Sequence, residues 1–360
     1  MTRQLIITTA AILFTSAASA QTPQLRLPSQ AAAPVEAGAD ASYESAAFAY
    51  RAGRFEEAYA ALQPLAASGN GNAQYLLGRM FANGEGAPKN IVRAIELYAA
   101  SAEQGQADAQ YALGELAYAG GDVQKDLRRA ADWFALAAEQ GHLQAQLRLA
   151  FMYLDGDGVD PDPARAADWF APAAASGDRE AQHNLAVAYL IGRGRQQDYP
   201  EASRWFLAAA EQGHPDAQYN LALLYDSGLG GPANPDEAAY WMGKAAEQNV
   251  TEALTAMGLL TYQGRGAAQS FDGAADWFAK AAAAGDPEGQ FLYAVVLAQG
   301  RGVAQDDAAA YEWVSRALRN DPAADPQAVA ERTALKEALG ERLSPDQRIA
   351  AEVKAQGRAE

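Results

Sequence analysis

Apolar residues return in two stripes per 36 residues from Ala73 to Asn320. The first stripe falls at positions 1, 5, 8 and 9 of each unit, as in Ala181, Leu185, Ala188 and Tyr189. That i, i+4, i+7, i+8 spacing marks one face of an amphipathic helix. The second stripe falls at positions 22, 25, 26, 29 and 30, as in Ala166, Trp169, Phe170, Ala173 and Ala174. Polar residues and glycine separate the two, so each unit reads helix, loop, helix. Glycine holds position 12 throughout, from Gly84 to Gly300, where a left-handed residue ends a helix at little cost. Position 18 is Asn90, Asp126, Asp162, Asp198, Asn234, Ser270 or Asp306. Each is a good N-cap, because a short polar side chain accepts a free amide of the first turn. Asp198 with Glu201 and Asn234 with Glu237 have the spacing of a capping box.

The units can be cut at Ala73, Ala109, Ala145, Ala181, Ala217, Ala253 and Gly289 without a slip. A fixed period of this length predicts a stacked architecture in which each unit touches its neighbours and no central core exists. Position 22 is always alanine, which lets helices approach closely. Position 25 is Leu97 once and then Trp133, Trp169, Trp205, Trp241, Trp277 and Trp313. The expected role of the indole is to fill the space between helices. A tryptophan buries roughly 150–250 Å², about 4–6 kcal/mol at ~25 cal/mol/Å².

Outside the period the chain divides further. Residues 1–20 read as a secretory signal: Arg3, an apolar stretch from Leu5 to Phe14, and Ala18-Ser19-Ala20 as a cleavage site. Cleavage after Ala20 predicts a periplasmic or secreted protein. Residues 21–40 hold Pro23, Pro28 and Pro34 without periodicity and read as a disordered linker. Residues 41–72 form a shorter first hairpin, Ala41–Ala52 and Phe55–Ala67, with Gly53 and Gly69 as stops. In residues 321–360, Asp325-Pro326 starts a helix running to Leu339, with Gly340 as its stop, and Ser344-Pro345-Asp346-Gln347 starts another. This pair should cover the last apolar face. The fold class is therefore all-α: an α/α superhelix, or solenoid, of about eight hairpins with a C-terminal capping pair.

Charge and chemistry narrow the function. The net charge is −17, so no basic footprint exists for nucleic acid or an anionic membrane. No second apolar stretch is long enough to span a bilayer, so no membrane insertion is expected once the signal is removed. The chain has no cysteine, hence no disulfide or thiol chemistry.

The pattern around Ala217-Gln218-Tyr219-Asn220-Leu221 with Tyr225, Gly228 and Gly230 resembles the Sel-one-like repeat, a relative of the tetratricopeptide repeat. Tyr153, Gly156, Gly158, Val159, Asp162, Ala166 and Trp169 repeat the resemblance. It covers residues 73–320 in seven copies, and 41–72 is similar to a tetratricopeptide hairpin. The resemblance implies a right-handed superhelix whose concave face makes protein–protein contacts, often in bacterial envelope regulation or assembly. Some secreted members carry a disulfide in each repeat, and this chain is not of that branch.

The repeat itself accounts for several residue groups that resemble sites. Asp155 to Asp162 resembles a calcium loop, but the twelfth position, where a carboxylate is needed, is Ala166. His142, His183 and His214 lie in different units without zinc-ligand spacing on one helix face. No nucleophile motif or phosphate loop occurs. The reading is thus non-enzymatic, with no catalytic residue, cofactor or metal. Arg193, Arg195, Arg265 and Arg301 lie in inter-helix loops as a solvated or basic rim.

The better candidate is the groove lined by first helices. Position 4 supplies Arg148, Asn184 and Asn220, and position 7 supplies Phe151, Val187, Leu223 and Leu259. By analogy with tetratricopeptide grooves, the polar row would orient a peptide and the apolar row take its side chains. The alternative is that position 7 packs against the neighbouring helix and the amides face water. The expected function is a periplasmic interaction scaffold or regulator for a protein partner, such as an envelope signalling or assembly protein. The alternative is a protein that binds peptidoglycan or polysaccharide or acts on the cell wall. Partner identity and oligomeric state stay open.

Overall fold

The computed structural model describes residues 39–322 and 324–357. The expected signal segment and linker residues 21–38 lie outside them. Two compact units divide the chain, one up to Ala145 and one from Gln146. The first contains α1 (Ala39–Arg51), α2 (Phe55–Ala67), α3 (Gly71–Asn83), α4 (Ile91–Ala102), α5 (Ala107–Ala119) and α6 (Leu127–Glu139). Helix α7 (Leu143–Asp155) begins in it and runs on into the second. There follow α8 (Pro163–Ala175), α9 (Arg179–Ile191), α10 (Tyr199–Glu211), α11 (Pro215–Ser227) and α12 (Pro235–Glu247). Next come α13 (Thr251–Gln263), α14 (Phe271–Ala283), α15 (Pro287–Gln299) and α16 (Asp307–Asn320). The last are α17 (Pro326–Arg342) and α18 (Pro345–Ala355). The regular structure among the described residues is all helical, with no strand. Within each unit consecutive helices pack in file as a solenoid of hairpins.

Local chemistry accounts for the helix ends. All seven position-18 residues cap their helices by accepting a first-turn amide, as Asp198 does from Glu201 N at 3.0 Å. The capping boxes expected there do not close. Glu201 turns instead to Arg204 at 2.6 Å, and Glu237 to the indole N–H of Trp241 at 3.1 Å. Ser344 and Gln347 do form a box. At the N-terminus α1 takes in Ala39 and Asp40, so the helix begins two residues before the expected start at Ala41. At the other end α17 runs through Gly340 to Arg342. Its fully buried Leu339 packs with Val314, which holds the last turn in place.

Packing corrects the expected role of tryptophan. The seven position-22 alanines are fully buried. The large side chain that fills each interior is at position 26: Phe134, Phe170, Phe206 and Phe278 are at most 2% exposed. Trp133 and Trp241 are buried, but Trp169, Trp205, Trp277 and Trp313 are half-buried. Position 25 lies ~100° around the helix from its neighbour, at the edge of the interface. There a cation covers the indole: Arg204 over Trp205 at 4.3 Å, Lys280 over Trp277 at 4.2 Å.

Two further features join one repeat to the next. Position 2 carries a buried glutamine that joins three helices. Gln218 on α11 donates to Ala210 O of α10 at 3.1 Å, and its Oε1 accepts from Gln248 Nε2, just after α12, at 2.8 Å. Gln182 with Gln212, Gln110 with Gln140 and Gln74 with Gln104 repeat the arrangement at 2.6–2.8 Å. In the sixth repeat both polar partners are replaced together, by Leu254 and Ala284. The second feature explains why the loops carry two glycines. Gly266 has φ +67°, and a Cβ there would run into the Pro235 carbonyl at the start of the preceding repeat's second helix. Gly194 against Pro163 and Gly302 against Phe271 do the same. The loop of one repeat rests on the backbone of the last.

Candidate functional site

The proposed groove residues lie on the first helices of the second unit, one or two per helix. Phe151 on α7, Val187 on α9, Leu223 on α11 and Leu259 on α13 are all half-buried. Val187 and Leu223 pack against the core that contains Phe206, and Leu259 against the one that contains Phe278. Phe151 meets Phe170 edge-on at 5.2 Å. Each therefore has a packed side and an open side. Arg148 is exposed, while Asn184 and Asn220 are half-buried. Asn184 Nδ2 donates to Glu180 O at 2.9 Å and to Glu180 Oε1 at 3.2 Å. The seven residues form two rows in register along successive repeats rather than one cluster.

What the fold does gather is a set of polar side chains that the sequence kept apart. His214 precedes α11 as its N-cap, and its Nδ1 accepts the Ala217 amide at 3.3 Å. An imidazole that accepts at Nδ1 carries its proton on Nε2, and that nitrogen lies 3.3 Å from Glu180 Oε2. His183, one turn along α9 from Glu180, stacks on His214 with ring centroids 4.3 Å apart and planes 14° from parallel. Burial, followed by the neighbouring His214, lowers the pKa of His183 to about 4, against the opposing pull of Asp216 and Glu180. The hydrogen bond from His214 holds the Glu180 carboxyl below its usual range, against burial. The first unit contains a parallel arrangement. His142 Nδ1 accepts from Ala145 N at 3.2 Å, its Nε2 lies 3.3 Å from Asp108, and the ring stacked on it is Tyr111 at 4.5 Å.

The three side chains come from one helix and a distant turn, so ligand spacing on one helix does not mark this cluster. The usable signal was the repeat phase: position 3 of a unit meets the turn that ends the same unit. Three of the loop arginines are engaged within the chain rather than left as a free basic rim. Arg195 pairs with Asp168 at 2.9 Å, Arg265 pairs with Asp226, and Arg301 lies over Phe271 at 4.3 Å. Each joins one repeat to the one before it. No helix among the described residues is long and apolar enough to cross a membrane.

Hairpins of one length, capped alike and joined by the same glutamine and glycine contacts, define an α-solenoid repeat protein. Seven consecutive stretches match the model of the Sel1 repeat: 71–106, 107–142, 143–178, 179–214, 215–250, 251–286 and 287–322. The chain belongs to the Sel1 repeat family. That frame starts two residues ahead of the cut at Ala73, where α3 begins. One similar crystal structure is that of a protective antigen present in uropathogenic Escherichia coli strains, displaying an SLR fold. It is 25% identical with a TM-score of 0.63, over 89% of this chain and 84% of that one. A Sel1 repeat protein from Oxalobacter formigenes is 29% identical with a TM-score of 0.59, over 82% and 88%. No curated protein matches the chain. Sel1 repeat proteins generally act as protein-interaction scaffolds and are typically non-catalytic.

Proposed function

We propose that this chain is a non-enzymatic scaffold of the bacterial periplasm that binds one protein partner through the first-helix face of its second unit. The observation that carries the reading is the row Phe151, Val187, Leu223, Leu259, half-open at the same register in four successive repeats. An apolar row with one open side per repeat suits an extended or helical segment laid across the helices. Asn220, one turn before Leu223 on α11, supplies a hydrogen-bonding amide beside it. Arg3, the apolar stretch and Ala18-Ser19-Ala20 support export.

Site-specific photo-crosslinking in intact cells tests this. A crosslinker at Leu223 should capture one discrete protein from the periplasmic fraction, and Leu259→Glu should abolish the product. The same probe at exposed Glu247, on α12, should capture little. Equal capture from both positions would overturn the reading, as would retention of the chain in the cytoplasm. Retention on purified sacculi, unaffected by Leu259→Glu, would favour the cell-wall alternative instead.

A further inference from the structure

We propose that Glu180, His183 and His214 form a binding site for one divalent transition ion of the zinc type, at the junction of the fourth and fifth repeats. One carboxylate oxygen and one nitrogen from each ring lie within 4.8 Å of one another. Glu180 Oε2 and His214 Nε2 are 3.3 Å apart. Two ligands at that separation, each ~2.0–2.1 Å from a shared ion, subtend about 105–110°, close to the tetrahedral angle. Two imidazoles and a carboxylate are the donor set of a borderline ion and leave a fourth position for water.

The repeat makes His183 conspicuous. The same register holds Tyr75, Tyr111, Leu147, Tyr219, Thr255 and Phe291 in other units; five of these are aromatic or aliphatic, and Thr255 meets its polar need by donating to Asp286. His183 Nδ1 is buried and has no hydrogen-bond partner. An unmet buried polar atom opposes folding, so a ring of plain packing value would serve better there. In the first unit Asp108 and His142 reproduce the carboxylate and cap, but the ring between repeats is Tyr111. The chain therefore carries its own two-ligand comparison.

Binding requires two local changes. Stacked rings do not aim their lone pairs at one point, so half-buried His183 must turn out of the stack. His214 must also move its proton from Nε2 to Nδ1, which releases the Ala217 amide from its cap. The ion is thereby linked to the first turn of α11, the helix that carries Asn220 and Leu223. The proposal does not depend on the partner-binding reading, and its test uses the metal alone.

Purified, untagged chain stripped with chelator should take up one Zn²⁺ in calorimetric titration, and Zn²⁺ should raise its Tm. Affinity should fall at least tenfold in Glu180→Gln and in His183→Tyr, and stay unchanged in His142→Ala. His183→Tyr keeps a ring stacked on His214, as Tyr111 does on His142, so its fold is retained and its circular dichroism should match the parent. Absence of uptake by the parent overturns the site. So does uptake that persists in His183→Tyr or disappears in His142→Ala.

Discussion

Replacing Gln248 by alanine removes one end of the bond that joins α12 to α11 and α10. Gln218 is 4% exposed, and its Oε1 takes its hydrogen bond from Gln248 at 2.8 Å. A buried acceptor left unmet costs about 1–3 kcal/mol. Gln248 also donates to Gly213 O at 3.2 Å, so Gln248→Ala belongs in the upper part of that range. Gln218→Leu strands less, because the Gln248 side chain is exposed to water and Ala210 O keeps the Gly213 amide at 2.9 Å. The double variant reproduces Leu254 with Ala284, the pair already present in the sixth repeat, where the buried amide and its partner are both gone. Its cost should therefore fall below the sum of the single costs by about 1–2 kcal/mol. Urea midpoints of the four proteins measure the cycle. Hydrogen exchange of α10, α11 and α12 amides shows whether the loss is local, since repeat arrays need not unfold in one step. A cycle term within about 0.5 kcal/mol of zero would refute the three-helix account of these glutamines.

Other consequences concern the core, the loops and acid. Phe206→Ala should cost about 3–5 kcal/mol as a large-to-small core change, and Trp205→Ala less, because Phe206 is wholly buried while Trp205 is half-exposed; thermal unfolding that ranks them the other way would restore the indole as the main filler. Gly266→Ala should destabilise far more than Gly285→Ala in chemical denaturation. Both have positive φ, but only at Gly266 does a Cβ meet backbone of the preceding repeat; at Gly285 nothing lies within 4 Å. The hydrogen bond from His142 lowers the pKa of Asp108, against burial. The stability from that depressed carboxyl is present above its unfolded pKa of ~3.9 and is lost as pH falls through the lower folded value. Asp108→Asn should flatten the acid limb of the stability–pH curve; an unchanged limb would remove the carboxylate–histidine pair from the account.

The sequence by itself determined the period, the helix boundaries within about three residues, and the seven second-helix caps. These are local matters: a stripe of apolar residues selects a helix face, and an aspartate or asparagine meets amides within its own turn. The position-2 glutamines were equally visible as a column, yet a polar residue beside an apolar stripe reads as solvent-facing until its partners are known. Which of two adjacent aromatics fills the interior could not be told from Trp205-Phe206, since both are large and apolar and they differ only in helix rotation relative to the neighbour. For Glu180, His183 and His214 the repeat phase gives only the column each residue occupies; their meeting depends on how the turn after one repeat folds back against that repeat's first helix. Tertiary structure decided these points: they are set by the rotation and distance of one helix or turn against another, quantities that no single helical run of residues encodes.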